Sequence, residues 1–110
     1  MKFITSTREY REIYLDHCRK QGRLFTFLIR SIPDKTFAAG IIVSKRVGNA
    51  VIRNKVKRRV RACLRENGSA YPVGEHIIII AKPEAGIASW ADIKYDLQHI
   101  LKQEVHENIE

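Results

Sequence analysis

The sequence predicts an α+β fold, a small single-domain α/β sandwich with elements in the order α-β-β-(β)-α-β-α. Three observations predict it. Apolar, β-branched and aromatic runs fall at 23–32, 37–44 and 76–82, separated from stretches whose apolar residues recur every three or four positions. At 110 residues the chain has room for one domain, expected over residues 1–110. Its 45% apolar content is enough for a packed core and argues against disorder.

Ser6 and Glu9 form a capping-box pattern that opens a first helix over about 7–20. Its apolar face carries Tyr10, Ile13, Tyr14 and Cys18, and Gly22 follows a basic last turn. Residues 23–32 and 37–44 read as strands joined by the turn Pro33-Asp34-Lys35, which makes them a hairpin. After the loop 45–49, with a further short strand expected near Val47, Ile52, Val56, Val60 and Cys63/Leu64 mark a second helix. Asn67–Gly68 suits its left-handed cap, and Tyr71–Gly74 reads as a loop. Four consecutive isoleucines at 77–80 suit a strand central in its sheet or buried on both faces. Residues 83–88 read as a loop. Ser89 and Asp92 then cap a last helix with a core face of Ile93, Leu97, Ile100, Leu101 and Val105, anchored by Trp90.

Charge narrows the function. The formal net charge is +8, and its distribution is uneven. Residues 1–65 hold 17 Lys/Arg against 4 Asp/Glu, whereas residues 66–110 hold 3 against 8. Between Asp34 and Glu66 ten cations occur with no acid. A merely solvated helix interleaves both signs; unneutralised cations in this number call for a polyanionic partner. No run of 18 apolar residues exists, so no membrane span is expected. The polar N-terminus lacks a signal core, and the two cysteines, Cys18 and Cys63, suit a reducing cytoplasm as small apolar residues.

The second helix is the sharpest signal. Arg53, Lys57, Arg61 and Arg65 step around from the edge of the apolar stripe, and Asn54, Lys55 and Arg58 extend the polar surface. Arg59 lies near the stripe, where its stem packs and its head snorkels. Lys45, Arg46 and Asn49 precede the helix, whose free N–H groups favour an anion. Arginine's planar fork makes bidentate contacts to phosphate. Neutralising about six phosphates would give a log–log salt slope of roughly −4 to −5. A membrane surface or an acidic protein are the other partners such a helix takes, but its narrow apolar stripe is committed to the core.

An aromatic set accompanies the cations. Tyr10 and Tyr14 share a helix face, and Phe25 and Phe27 share a strand face. Core packing is one reading and is favoured for at least one phenylalanine. The other is a partly open cleft in which rings stack on unpaired bases, each stack worth about 1–3 kcal/mol, with Arg8, Arg11, Arg19 and Arg23 along the backbone. Nucleotide-binding glycine motifs are absent, His17, His76, His99 and His106 lack metal-ligand spacing, and no catalytic triad can be assembled. The chain offers binding chemistry without a general acid or base of its own.

The pattern Ser44-Lys45-Arg46-Val47-Gly48-Asn49-Ala50-Val51, continued by Arg53-Asn54-Lys55, Lys57-Arg58 and Arg61, resembles the protein component of bacterial ribonuclease P. The likeness extends over nearly the whole chain, through the aromatic first helix, the expected hairpin, residues 76–83 and the last helix with Trp90, Ile93, Asp96, Leu97, Ile100 and Leu101. It implies a fold like the second domain of the fifth small-subunit ribosomal protein. That fold has a left-handed β-α-β crossover where general topology expects a right-handed one. It also implies a cytoplasmic, non-catalytic protein subunit of a ribonucleoprotein endoribonuclease, which helps an RNA subunit remove the 5′ leader of precursor tRNA. Mg²⁺ would be held mainly by RNA, with no cofactor or metal on the protein.

By position, Lys45, Arg46, Asn49, Arg53, Asn54, Lys55, Lys57, Arg58, Arg61 and Arg65 would face the catalytic RNA. Tyr10, Tyr14, Arg11 and one or both of Phe25 and Phe27 would line the leader cleft. Lys55 stands where the family's Arg-Asn-Arg ends in arginine, so charge is kept there and fork geometry is not. The alternative function is a ribosomal or general RNA-binding protein without a processing role; a nuclease acting by its own side chains is a third.

Overall fold

Two sets of apolar side chains, one on each face of a single sheet, organise the computed structural model, which describes residues 2–66 and 74–109, with side chains as far as Leu101. The elements are β1 (Lys2–Phe3), α1 (Thr7–Leu15), β2 (Cys18–Gln21), β3 (Phe25–Ser31), β4 (Ala38–Ile42), α2 (Ala50–Glu66), β5 (Glu75–Ala81), a 3₁₀ turn (Pro83–Gly86) and α3 (Trp90–Ile109). The sheet order is β1-β4-β5-β3-β2. Strand β5 runs parallel to β4 and antiparallel to β3, so α2 connects two parallel neighbours. Among the described residues no helix is long and apolar enough to cross a membrane.

Alternation along the strands divides the core. Phe25, Phe27 and Ile29 of β3 and Ile77 and Ile79 of β5 pack under α2 and α3, against Val56, Val60, Leu64, Ile93, Leu97 and Leu101. Leu28, Ala38 and Ile78 point to the other face, where Ile13 of α1 covers them together with Ile4. The isoleucine run therefore serves both cores, and β5 is central, as its composition predicts.

The expected hairpin does not form. β5 lies between β3 and β4, and the six residues 32–37 carry the chain over it. Skipping one strand requires a step of only about 10 Å. The centre of the sheet goes to the strand with the most apolar surface to bury. The first helix also ends earlier than its periodicity predicts. Asp16 leaves helical geometry with φ −150° and ψ 104°, its N–H donating to Ile13 O at 3.3 Å. Residues 18–21 then pair with Ile29–Thr26 as the edge strand β2. Cys18 is consequently exposed, while Cys63 is buried as expected.

Two smaller expectations also change. Val47 is buried in a turn, its N–H donating to Ser44 O at 3.1 Å, and forms no strand. The loop after β5 contains the 3₁₀ turn, started by Pro83 at its first position. Caps at the other helix starts are as read: Glu9 N–H reaches Ser6 Oγ at 3.4 Å, and Asp92 N–H reaches Ser89 Oγ at 3.1 Å. Trp90 packs against the larger core with the Lys94 ammonium 5.1 Å from its ring centroid. The expected cap at Asn67–Gly68, the loop residues Tyr71–Val73 and the Val105 side chain lie outside the described residues.

Candidate nucleic-acid interface

Helix α2 presents its cations because its apolar residues fix its rotation. Val56, Val60, Cys63 and Leu64 are buried, which turns Asn54, Lys55, Arg58, Arg61 and Arg65 to solvent and leaves Arg53 and Lys57 half-buried. Asn49 caps the helix, its Oδ1 accepting from Ile52 N–H at 3.0 Å. That use leaves the Asn49 side-chain amide hydrogens for a partner beside the exposed Lys45 and Arg46. No acid lies in the first turn of α2. Arg59 behaves as its place near the stripe predicts, its Nη1 donating to Ala88 O at 3.2 Å. Arg65 lies over the Phe3 ring at 5.2 Å.

The ion pairs are elsewhere. Lys2 pairs with Glu9, Arg8 and Arg30 with Glu12, and Arg23 with Asp92. Among the described residues, none of the cations at 45, 46, 53, 55, 57, 58, 61 and 65 has a carboxylate partner. The unneutralised charge is thus concentrated on one helix and the loop before it.

The first-helix tyrosines lie on the sheet face that α1 covers, opposite the one under α2. Tyr10 donates from its hydroxyl to Ile4 O at 3.3 Å, and its ring lies on the backbone of Gly40. A Cβ at position 40 would fall 2.6 Å from the Tyr10 hydroxyl, so glycine makes the seat. Burial pushes the Tyr10 phenol above its usual pKa against a backbone hydrogen bond at Ile41, with a smaller downward pull from the Arg61 charge. Arg61 of α2 is therefore near enough to Tyr10 of α1 to be felt electrostatically. Tyr14 is 49% exposed, and Arg11 is exposed on the same helix.

Phe25 and Phe27 do not belong to this surface. Both are fully buried in the larger core, their rings 6.4 Å apart, on the sheet face away from α1. The strand face toward α1 carries Thr26, Leu28 and Arg30. A shift of one residue in facing moves every side chain of a strand to the other side, and the flanking sequence does not fix which set faces which helix. Of the other cations expected along the cleft, Arg19 is exposed on β2, whereas Arg8 and Arg23 are in ion pairs.

The sequence reading missed a polar cluster on the other flank of α1. Arg30 Nη1 donates to Glu12 at 3.1 Å, and Arg8 Nε donates to the same carboxylate at 3.3 Å. His76 is buried nearby. It missed Asp96 as well, whose carboxylate accepts from the N–H groups of Arg23, Leu24 and Phe25 at 2.8, 3.1 and 3.2 Å. An aspartate three residues after Ile93 and four before Ile100, on an apolar stripe, is a signal that could have found it. Among the described residues no group of three or more His, Cys, Asp or Glu side chains could hold a metal ion.

The Glu12 and His76 groups set an acid limit on stability. Burial, with the Lys2 charge assisting and Glu9 opposing, holds the His76 imidazole below its ordinary 6.5. The unfolded chain takes that proton first, so stability is expected to fall as pH drops below about 6.5. Hydrogen bonding from Arg30 holds Glu12 below its ordinary 4.5. Its contribution is present above that value and is lost as pH falls through the lower folded-state value. Thermal unfolding followed against pH should show a decline beginning in the histidine range, and His76→Gln should remove that first part. A Tm that stays level down to the carboxylate range would refute the histidine contribution.

The family model for Ribonuclease P matches residues 2–105. The chain belongs to this family. It is 39% identical over 84 residues to the ribonuclease P protein component of Thermus brockianus, an alignment covering 76% of this chain and 50% of that protein. The chain thus spans about half the length of that relative. It is 36% identical over 100 residues to the component of Ligilactobacillus salivarius, covering 90% of this chain and 88% of the relative. Among solved structures, the Staphylococcus aureus RNase P protein superposes with a TM-score of 0.83 at 31% identity, covering 93% of this chain and 94% of that one. The expected fold class is therefore present: a small α+β domain with three helices on a five-stranded mixed sheet.

Proposed function

We propose that the chain is the protein subunit of ribonuclease P in the cytoplasm and binds the catalytic RNA through α2 and the loop at 45–49. It holds the 5′ leader of precursor tRNA along Tyr10 and Tyr14 and assists endonucleolytic removal of that leader. The observation that carries this reading is the acid-free cation face of α2, accompanied by the half-exposed Tyr14 of α1. Cations at that spacing lower the repulsion between two RNA strands, and the half-exposed Tyr14 offers a base a stacking platform of any sequence. Bond cleavage rests with the RNA subunit, which holds the required Mg²⁺; the protein supplies binding and orientation.

Cleavage of a precursor tRNA at a few millimolar Mg²⁺ tests the proposal, with protein alone, the organism's ribonuclease P RNA alone, and both together. Cleavage at the mature 5′ boundary that is greatly accelerated in the combined arm supports it. No gain over RNA alone would overturn it, and affinity for ribosomal RNA above that for ribonuclease P RNA would favour the ribosomal alternative. Because mature tRNA has no leader, protein should raise affinity for precursor more than for product. Tyr14→Ala should weaken precursor binding by about 1–3 kcal/mol, the value of one stacked base, and leave assembly with the RNA subunit unchanged. Equal loss for precursor and mature tRNA would count against a leader contact.

A further inference from the structure

A cavity of about 380 Å³ opens between α1, β3, β5 and the β3–β4 connection. Tyr10, Tyr14 and Arg61 do not line it, so it is separate from the surface assigned to the leader. Its walls are built from Arg8, Glu9 and Glu12 of α1, Arg30 of β3, Lys35 of the connection and His76 of β5.

The carboxylate acceptors in this cavity are committed. Glu12 receives Arg30 and Arg8, and Glu9 receives Lys2 at 3.2 Å. What remains uncommitted are donors. Among the described residues the Lys35 ammonium has no side-chain partner, and Arg8, whose Nε alone is engaged, is 87% exposed at its side chain. The buried His76 residue faces the cavity, and among the described residues none hydrogen-bonds its ring. Arg30 Nε, buried in the same wall, has no hydrogen-bond partner among the described residues, an exception of the kind that a ligand resolves. Donors converging from three elements suit a tetrahedral oxyanion, which accepts from several directions at once.

We propose that this cavity is a phosphate site, taking a backbone phosphate of an RNA strand among Lys35, Arg8 and His76. The phosphate chemistry stands on these residues alone; RNA as its source rests on the binding role proposed above. Glu9 of α1 favours the imidazolium, whereas Lys2 of β1, Arg30 of β3 and Lys35 of the connection oppose it. A bound phosphate, singly charged as an RNA diester, offsets that opposition, so affinity rises as pH falls through the histidine range.

The test uses the full chain and NMR of the His76 ring, titrated with inorganic phosphate against chloride at equal ionic strength. Phosphate should bind saturably and raise the His76 pKa by roughly one pH unit. Lys35→Ala, an exposed substitution that spares the core, should weaken phosphate binding about tenfold and remove most of that rise. His76→Gln should abolish the pH dependence. A His76 pKa untouched by saturating phosphate, with responses confined to Lys45–Arg58, would overturn the site. A short oligouridylate should then displace phosphate; if it does not, RNA as the source is overturned. Neither measurement involves ribonuclease P RNA, so this proposal and the processing role fail separately.

Discussion

Asp96→Ala should destabilise the domain by about 3–5 kcal/mol, since each of the three backbone donors it leaves unpaired costs roughly 1–3 kcal/mol and water reaches some of them. Asp96 is 7% exposed, and its two oxygens hold the chain where it turns from β2 into β3. Relief comes at one end, where a cavity of about 290 Å³ lined by Arg23, Asp92, Tyr95 and Asp96 can admit water to the Arg23 N–H. Leu24 and Phe25 lie in the core and have no such access. Domains of this size are stable by only about 5–15 kcal/mol, so the loss is large.

Asp96→Asn should cost nearly as much, because it replaces one accepting oxygen with a donor facing donors. Gly22 gives the same result from the opposite side. A Cβ there would fall 2.5 Å from Asp96 Oδ2, so Gly22→Ala must displace the carboxylate. Urea unfolding midpoints at unchanged slope would register both losses. A loss under about 1 kcal/mol for Asp96→Ala would mean that water serves all three donors as well as the carboxylate does.

Asp96 also shows where reading the sequence stops. Its place on an apolar stripe marks a buried carboxylate, but its contacts lie 71 to 73 residues away in the chain and no local pattern names them. The helix cores and caps were legible because they repeat locally: Ser6, Ser89 and the stripes of α2 and α3 sit where periodicity puts them. Strand pairing was not, because the most apolar strand displaced a hairpin that the turn residues 33–35 suggest. β2 was invisible for a related reason. Cys-Arg-Lys-Gln has no alternation to mark it, and it is a strand only because β3 offers an edge; charges on such an edge suit it.

The candidate site divides in the same way. The α2 cations are legible because a helix with a fixed apolar stripe has a determined outer face. The aromatic strand was not, since period two leaves two equally periodic facings, and Phe25 and Phe27 took the inner one. The cavity around His76 depends on side chains from four elements, a conjunction that only the folded chain brings together.

Arg58→Ala and Arg61→Ala should each weaken assembly with the catalytic RNA about tenfold at moderate salt and flatten the log–log salt slope by roughly one. Starting from a slope of about −4 to −5, the double variant should fall to roughly −2 to −3. Both side chains are exposed on α2, so folding stability should stay within about 0.5 kcal/mol, which separates lost contacts from lost structure. The two positions are not equivalent. Arg61 is felt by Tyr10, and removing its charge should raise the Tyr10 pKa further, readable by ultraviolet titration of the phenol. Arg61→Ala should therefore also reduce the preference for precursor over mature tRNA, whereas Arg58→Ala should lower affinity for both substrates' complexes alike. If both variants change assembly and leave the salt slope unaltered, the contacts are not to phosphate. If Arg58→Ala alters precursor preference as much as Arg61→Ala does, the two RNA-facing surfaces are one, and the division at Tyr10 is wrong.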